Sequence, residues 1–337
     1  MKKIKINLIL LILLLTCFKS YSQDIIFSQN FIVPENLSSS FTGAIRATKL
    51  GSIFRSQWRN TSVKTHSNFI FADTWFERYS SGIGFTLLNQ REDGSNYTFN
   101  QLNINFAMAF QINDTWFFRP SVSLGYGMKS FGFQNLRFGD DFDEANFVFL
   151  PTSSENLSLF SSRKSYFDYS SSLLFNNKDS WIGVTFKHLN KPNISLTENG
   201  NIPLDIFFSL HAKYYLPFPT KYTRYFASKS KVFMLSNFIK QGPLTRLDIG
   251  TQYIFDDKIS LGMTLRTNTN KYSNDAKLIN GFTTFFGLKW QGYRFGYSYD
   301  VNTLSILNSG GVHEVSLSYD FDINQRAIDR DREVRIF

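Results

Sequence analysis

Residues Gly292–Phe321 read GYRFGYSYDVNTLSILNSGGVHEVSLSYDF, and their alternation decides the fold. Tyr293, Phe295, Tyr297, Tyr299 and Val301 fall on one face of an extended backbone, and Arg294, Gly296, Ser298 and Asp300 on the other. After a loop of Asn, Ser and Gly (Asn302 to Gly311) the pattern resumes, with His313, Val315, Leu317, Tyr319 and Phe321 opposing Glu314, Ser316, Ser318 and Asp320. Successive strand side chains point to opposite faces, so this is a hairpin with one aromatic-aliphatic face and one polar face. A water-soluble sandwich would alternate in the same way, with its apolar face turned inward. The pattern recurs along the whole sequence behind an export signal, which points instead to outer-membrane strands with the apolar face toward lipid.

Residues 1–22 form the expected signal peptide. Lys2, Lys3 and Lys5 precede the apolar run Leu8 to Leu15, and Ser20 and Ser22 supply the small residues before a cut at Gln23. The run is too short for a spanning helix, and no other long apolar stretch exists, so membrane residence requires a β-barrel. Cys17 is the only cysteine; Leu14-Leu15-Thr16-Cys17 gives a rival reading as a loose lipobox. Cleavage removes Cys17 and leaves no disulfide, thiol nucleophile or thiolate metal site. It also removes four lysines, so the mature protein carries 36 − 4 = 32 basic and 27 acidic residues, a net charge of +5. That mild excess, without basic blocks interleaved with stacking aromatics, gives no argument for nucleic acid. Aromatic residues reach 17% while mean hydropathy is slightly negative, at −0.20. A barrel explains both values: only alternate residues face lipid, and aromatic girdles mark the two interfaces.

The fold class is therefore all-β, a transmembrane antiparallel β-barrel of about fourteen strands. Residues 23–43 form a lead segment without alternation, expected in the periplasm, residues 44–321 the barrel, and residues 322–337 a charged periplasmic tail. The first strand is expected over Ile45 to Trp58 and the fourth over Thr98 to Ile112. In the fourth, Leu102, Ile104, Phe106, Met108 and Phe110 oppose Asn103, Asn105, Ala107, Ala109 and Gln111. Connections after even-numbered strands are mostly short and those after odd-numbered strands mostly long, as expected for periplasmic turns and extracellular loops. The turn near Pro217 to Ser228 and the tight Gln241-Gly242-Pro243 break this rule.

No constellation points to an enzyme. The acidic cluster Asp140, Asp141, Asp143 and Glu144 lacks calcium-loop spacing, and His66, His188, His211 and His313 show no metal-binding spacing. His313 and Glu314 are neighbours on a strand, so they point to opposite sides and cannot converge on one substrate atom. Gly82-Ile83-Gly84 and Gly125-Tyr126-Gly127 lack the strand–turn–helix context of a phosphate loop and are expected to relieve crowding or allow bending in strands. No nucleophile elbow is present. No cofactor is expected.

Several segments resemble one family, the PorP/SprF-type outer-membrane proteins of the type IX secretion and gliding machinery of Bacteroidetes. The opening Gln23-Asp24-Ile25-Ile26-Phe27-Ser28-Gln29 resembles the family's Q-D-x-x-F-S-Q, and Arg55-Ser56-Gln57-Trp58 its R-x-Q-W. His188-Leu189-Asn190-Lys191-Pro192-Asn193 resembles a mid-sequence H-L-x-x-P segment. Gly296-Tyr297-Ser298-Tyr299-Asp300 followed by Gly310-Gly311-Val312-His313-Glu314 resembles the terminal G-Y-S-Y-D…G-x-H-E hairpin. Where the family shows N-P-A-x-x-G, the corresponding stretch is Ser38-Ser39-Ser40-Phe41-Thr42-Gly43. The resemblance implies a non-enzymatic barrel embedded in outer-membrane lipids, whose periplasmic side meets machinery proteins including a peptidoglycan-associated lipoprotein. It also implies capture of a secreted adhesin or other cargo at the cell surface.

The motif residues have either structural or docking roles. Gly296, Gly310 and Gly311 suit tight backbone, and Asp300 is placed to bond a loop amide. Docking is expected from the lead segment, the periplasmic turns and the tail. The alternative function is an outer-membrane pore or small-solute transporter, against which bulky inward residues such as Phe285, Phe207 and Tyr215 act as a plug.

Overall fold

The computed structural model describes residues 23–61, 63–132, 142–143, 148–149, 162–197, 199–217, 230–267, 279–302 and 310–321. The wall is a single antiparallel sheet of fourteen long strands. These are β1 Lys49–Gln57, β2 Thr65–Phe76, β3 Ser81–Glu92, β4 Tyr97–Met108, β5 Phe117–Ser130, β6 Arg163–Asn176 and β7 Trp181–Lys187. The others are β8 Phe207–Leu216, β9 Lys231–Gln241, β10 Leu244–Phe255, β11 Ile259–Thr267, β12 Ile279–Trp290, β13 Tyr293–Asn302 and β14 Val312–Asp320. After a break at Ala109, Phe110–Gln111 continues the β4 edge against β5. Each strand pairs with its neighbour in sequence, and β14 pairs with β1 from Lys49↔Asp320 to Gln57↔Val312, which closes the cylinder. Closure leaves no sheet edge, the condition for a sheet to exist in lipid.

The alternation expected from the sequence is the alternation observed. Phe167, Leu124, Tyr214, Val315 and Leu317 stand exposed on the outer surface. Between them, Asp168, Lys213, Glu314 and Ser316 are buried on the inner one. Among the described residues no helix is long and apolar enough to cross a membrane, so the strands do the crossing. A sandwich would have buried the apolar face; here the wall turns it outward. The first strand starts at Lys49 rather than Ile45, because Ile45 belongs to the packing inside the cylinder. Gly82 and Gly84 relieve crowding as expected: a side chain at either would strike Thr42 of the lead segment. The acidic loop cluster at Asp140, Asp141 and Glu144, residues 1–22 and the tail beyond Phe321 lie outside the described residues.

The lead segment does not stand apart in the periplasm. It runs through the barrel lumen. Asp24 lies beside His188 and Gln241, where β7 and β9 meet the long-loop end. Gly43 and Arg46 lie at the short-turn end, against Asp73 on β2 and Glu77 just after it. Short turns face the periplasm and long loops the exterior in such barrels, so the segment descends from the outer rim to enter β1 at the inner one. Two short 3₁₀ turns, Pro34–Asn36 and Ser39–Phe41, give it its regular structure, the second with the Ser38 side chain accepting from the Ser40 amide.

Its apolar side chains make the protein's main core. Phe27, Phe31, Ile32, Val33, Leu37 and Phe41 pack against wall residues that include Ile53, Phe69, Phe71, Trp181, Phe233, Leu235 and Phe285. The Phe31 and Phe41 rings lie 5.9 and 5.1 Å from the Trp181 ring. Full burial of such a side chain contributes roughly 1.5–3 kcal/mol, so these six residues hold the segment by its apolar face. Phe285 and Tyr215, read from the sequence as lumen-filling, belong to this core or its margin, and Phe207 is buried beneath the Lys187 ammonium.

The crossing of Thr42–Gly43 over β3 permits no substituent. A Cβ at Gly82 would lie 2.5 Å from the Thr42 carbonyl oxygen, a backbone atom with no rotamer to escape into. At Gly125 the nearest atom is the Asn103 amide oxygen, the end of a side chain that can swing away. Gly82→Val is therefore expected to lower stability by ~1–3 kcal/mol and expose the segment to limited proteolysis. Gly125→Ala is expected to do so far less, as thermal melts in detergent check.

Candidate functional site: the latch on the N-terminal segment

Inside a closed cylinder the segment cannot pair with the wall strands, whose backbone groups bond one another. Its amides bond its own carbonyls in tight turns, as from Val33 to Gln29 and from Leu37 to Pro34, and where it is extended they need side-chain acceptors. The V-H-E-V alternation of β14 supplies one by turning Glu314 inward. The Ser28 amide donates to both Glu314 carboxylate oxygens, at 2.9 and 3.0 Å, and the Gln29 amide donates to one of them at 3.0 Å. Arg55, directly across the β1–β14 register, forms an ion pair with Glu314 and donates to Gln57 at 2.8 Å. The Ser316 hydroxyl donates to the Gln29 side-chain oxygen at 2.6 Å. Gly296 makes room for that contact, since a Cβ there would collide with the same Gln29 oxygen. Next to it, the Ser28 hydroxyl donates to Asp300 at 3.2 Å, and Asp300 also pairs with Arg266. Arg266 in turn faces Asp248, which Arg246 holds at 2.7 Å. Asp300 thus bonds the segment and an arginine, while residues 303–309, the loop whose amide it is expected to meet, lie outside the described residues.

A second anchor lies at the Gln23 end. His188 bridges two carboxylates, with Nδ1 2.9 Å from Asp168 and Nε2 2.9 Å from Asp24. Gln241 accepts from the Asp24 amide at 2.8 Å and donates to its carboxylate at 3.1 Å. Burial alone would push the His188 pKa down, but Asp24 and Asp168 outweigh it and raise the value to about 9. Burial likewise works against ionised Asp24, and His188 overcomes it, holding the carboxyl below the usual carboxylate range. At neutral pH the imidazole of the bridge is charged and so is Asp24. A third set fixes the inner end. Glu35 pairs with Lys49, the Gly43 amide donates to Asp73 at 2.9 Å, and Arg46 pairs with Glu77 at 3.1 Å.

The structure thus gathers motif residues that are scattered in the sequence. Asp24, Phe27, Ser28, Gln29, Arg55, Gln57, His188, Gly296, Asp300 and Glu314 all meet at or beside the segment, Phe27 packing 5.9 Å from the Phe69 ring. Others stay outside the latch. Tyr297, Tyr299 and His313 are on the outer face, where the Tyr297 hydroxyl lies 2.9 Å from His313 Nδ1 and the Tyr299 ring 4.8 Å from its imidazole. Trp58 is exposed at the end of β1. Gly310 and Gly311 take positive φ at the start of β14, the tight backbone expected of them. Pro192 shapes the loop after β7, its carbonyl accepting from Leu204 at 2.9 Å. Gln23 is exposed at the segment's outer end. Sequence reading missed Asp168, Gln241, Arg246, Asp248, Arg266, Asp73 and the Glu35–Lys49 pair. For Asp73, Asp168, Arg246, Asp248 and Arg266 the available signal was a charge at an inward position of an alternating strand, since such a charge must find a partner; Gln241 and Glu35 carried no such signal.

These features define a class: a closed fourteen-stranded outer-membrane β-barrel whose lumen is occupied by its own N-terminal segment. Residues 19–319 match the family model of the type IX secretion system membrane protein PorP/SprF. The chain belongs to that family, as the motif resemblance implied, and its family and fold are those of a secretion-system barrel rather than of an enzyme class. Comparison with curated proteins finds no match. Among solved structures the protein is similar to the P. putida toluene transporter TodX, with a TM-score of 0.50 and 10% identity, covering 88% of its own length and 94% of the transporter's. It also matches the Acinetobacter baumannii outer membrane protein Omp33, with a TM-score of 0.44 and 6% identity, covering 83% of its own length and all of that protein's. These are likenesses of fold.

The imidazolium bridge sets a pH window. A group whose pKa is raised by folding stabilises fully below its unfolded value, roughly 6.5 for histidine. That contribution is lost as pH rises through about 9. Thermal stability of the detergent-solubilised barrel is therefore expected to fall between those values, with the protease sensitivity of the segment rising in parallel. His188→Gln is expected to lose stability at pH 6 and to flatten the decline, which melts of both proteins across the range would measure.

Proposed function

We propose that the protein is a non-enzymatic docking and anchoring barrel of the type IX secretion and gliding machinery. On this reading its periplasmic rim binds machinery proteins, including a peptidoglycan-associated lipoprotein, and the barrel supports secretion or surface anchoring of a cargo such as an adhesin. The observation that carries it is the occupied lumen. Charged anchors fix the segment at both ends and an apolar core holds its middle. A barrel filled in this way offers its rims and loops to partners rather than a conduit to solutes. The family match over residues 19–319 supports the same reading.

The second reading, a small-solute transporter, is favoured by one observation: a cavity remains between the segment and the wall strands β3 to β7. Planar-bilayer recording separates the two. The docking reading expects no steady current from the intact protein and open-channel steps once residues 24–42 are deleted. It also expects periplasmic partners to co-purify from detergent-solubilised membranes, and a specific cargo to leave the surface of a deletion strain. Steady currents from the intact protein favour transport; normal display of every cargo with no co-purifying partner would sink the docking role.

A further inference from the structure

We propose that the cavity beside the segment binds one ring of an uncharged saccharide entering from the loop end. About 920 Å³ of space, open solvent included, lies between the segment and this part of the wall. The outer part of the cavity is roofed where Ile194 and Leu204, from the loop following β7, pack with Tyr166 and Phe99. Ser39 and Ser172 line it further in, their hydroxyl oxygens 3.3 Å apart.

Two buried hydroxyls in its lining, those of Tyr166 and Thr185, have no hydrogen-bond partner in the protein, although both residues are more than nine-tenths buried. A buried hydroxyl without a partner is costly, so the wall is built for something polar. The rest of the lining narrows the chemistry. Asn105 presents a side-chain amide, which donates and accepts at once as ligand hydroxyls require, beside Gln101 and Asn103, whose amide nitrogens already donate to Asp168 and Thr86. The formal charges of the lining balance, Lys129 and Lys187 against Asp24 and Glu35, so a strongly anionic ligand meets no net positive lining. An apolar solute would leave the two hydroxyls unsatisfied. Tyr97 and Phe99 on the same wall give the C–H face of a sugar ring an aromatic surface to pack on.

The full protein should be solubilised in an amine-oxide detergent, since glycoside detergents would compete, and titrated calorimetrically with glucose, N-acetylglucosamine, galacturonate and toluene. Saturable binding of an uncharged sugar is expected, weakened roughly tenfold by Tyr166→Phe and by Thr185→Val, each of which removes one hydrogen-bonding hydroxyl. Neither substitution breaks a protein hydrogen bond, so both variants are expected to melt with the wild type, and a calorimetric loss in them reports the site. The proposal is overturned by an absence of saturable sugar binding, by binding that ignores both substitutions, or by galacturonate or toluene binding more tightly than the uncharged sugars. None of these outcomes depends on whether the barrel docks machinery proteins.

Discussion

A segment placed inside a closed β-barrel meets a wall whose backbone hydrogen bonds are already used, and this constraint organises the molecule. The segment's amides are satisfied by its own tight turns, as where Ile32 and Val33 donate to the Gln29 carbonyl, and elsewhere by side chains that the wall turns inward. Glu314 does this for Ser28 and Gln29, Asp73 for Gly43, and Gln241 for Asp24. Buried carboxylates at these anchors need electrostatic support, because one without a partner is far more expensive than a paired one. Arg55 supports Glu314, and His188 supports Asp24. The segment and the wall therefore specify each other.

The anchors are arranged by depth. Ion pairs and amide contacts hold the outer end, aromatic packing on Trp181, Phe69 and Phe71 the middle, and Lys49, Asp73 and Glu77 the inner end. The outer surface carries almost the opposite chemistry, aromatic and aliphatic, as the bilayer demands. A barrel of this width without a filling segment would hold water. Here one flank keeps a polar cavity and the rest is packed like the interior of a soluble protein.

The wall was legible in the sequence because its period is two and its medium is lipid. Gly292–Phe321 shows both, and the facing of β13 and β14 follows from it, including the divergence of His313 and Glu314. The path of the lead segment was not legible. Gln23–Gly43 has no period, and its polar and apolar residues suit a periplasmic arm as well as a lumen filling. Its partners sit at isolated inward positions such as Asp168, flanked by the outward Phe167 and Tyr169. Local sequence shows only that such a residue points inward. What it meets there depends on a fold closed across nearly three hundred residues, as between Ser28 and Glu314.

Residence of the N-terminal segment in the lumen is tested most directly where Ser39 meets the wall at Ser121, their hydroxyl oxygens 2.8 Å apart. Apart from Cys17, in the expected signal peptide, the sequence contains no cysteine, so a pair introduced at these positions reports without background. In Ser39→Cys/Ser121→Cys, near-complete disulfide formation is expected in the folded, membrane-inserted barrel, seen as loss of thiol labelling and a cross-linked peptide by mass spectrometry. Two freely labelled thiols in a correctly inserted barrel would place the segment elsewhere and contradict the latch.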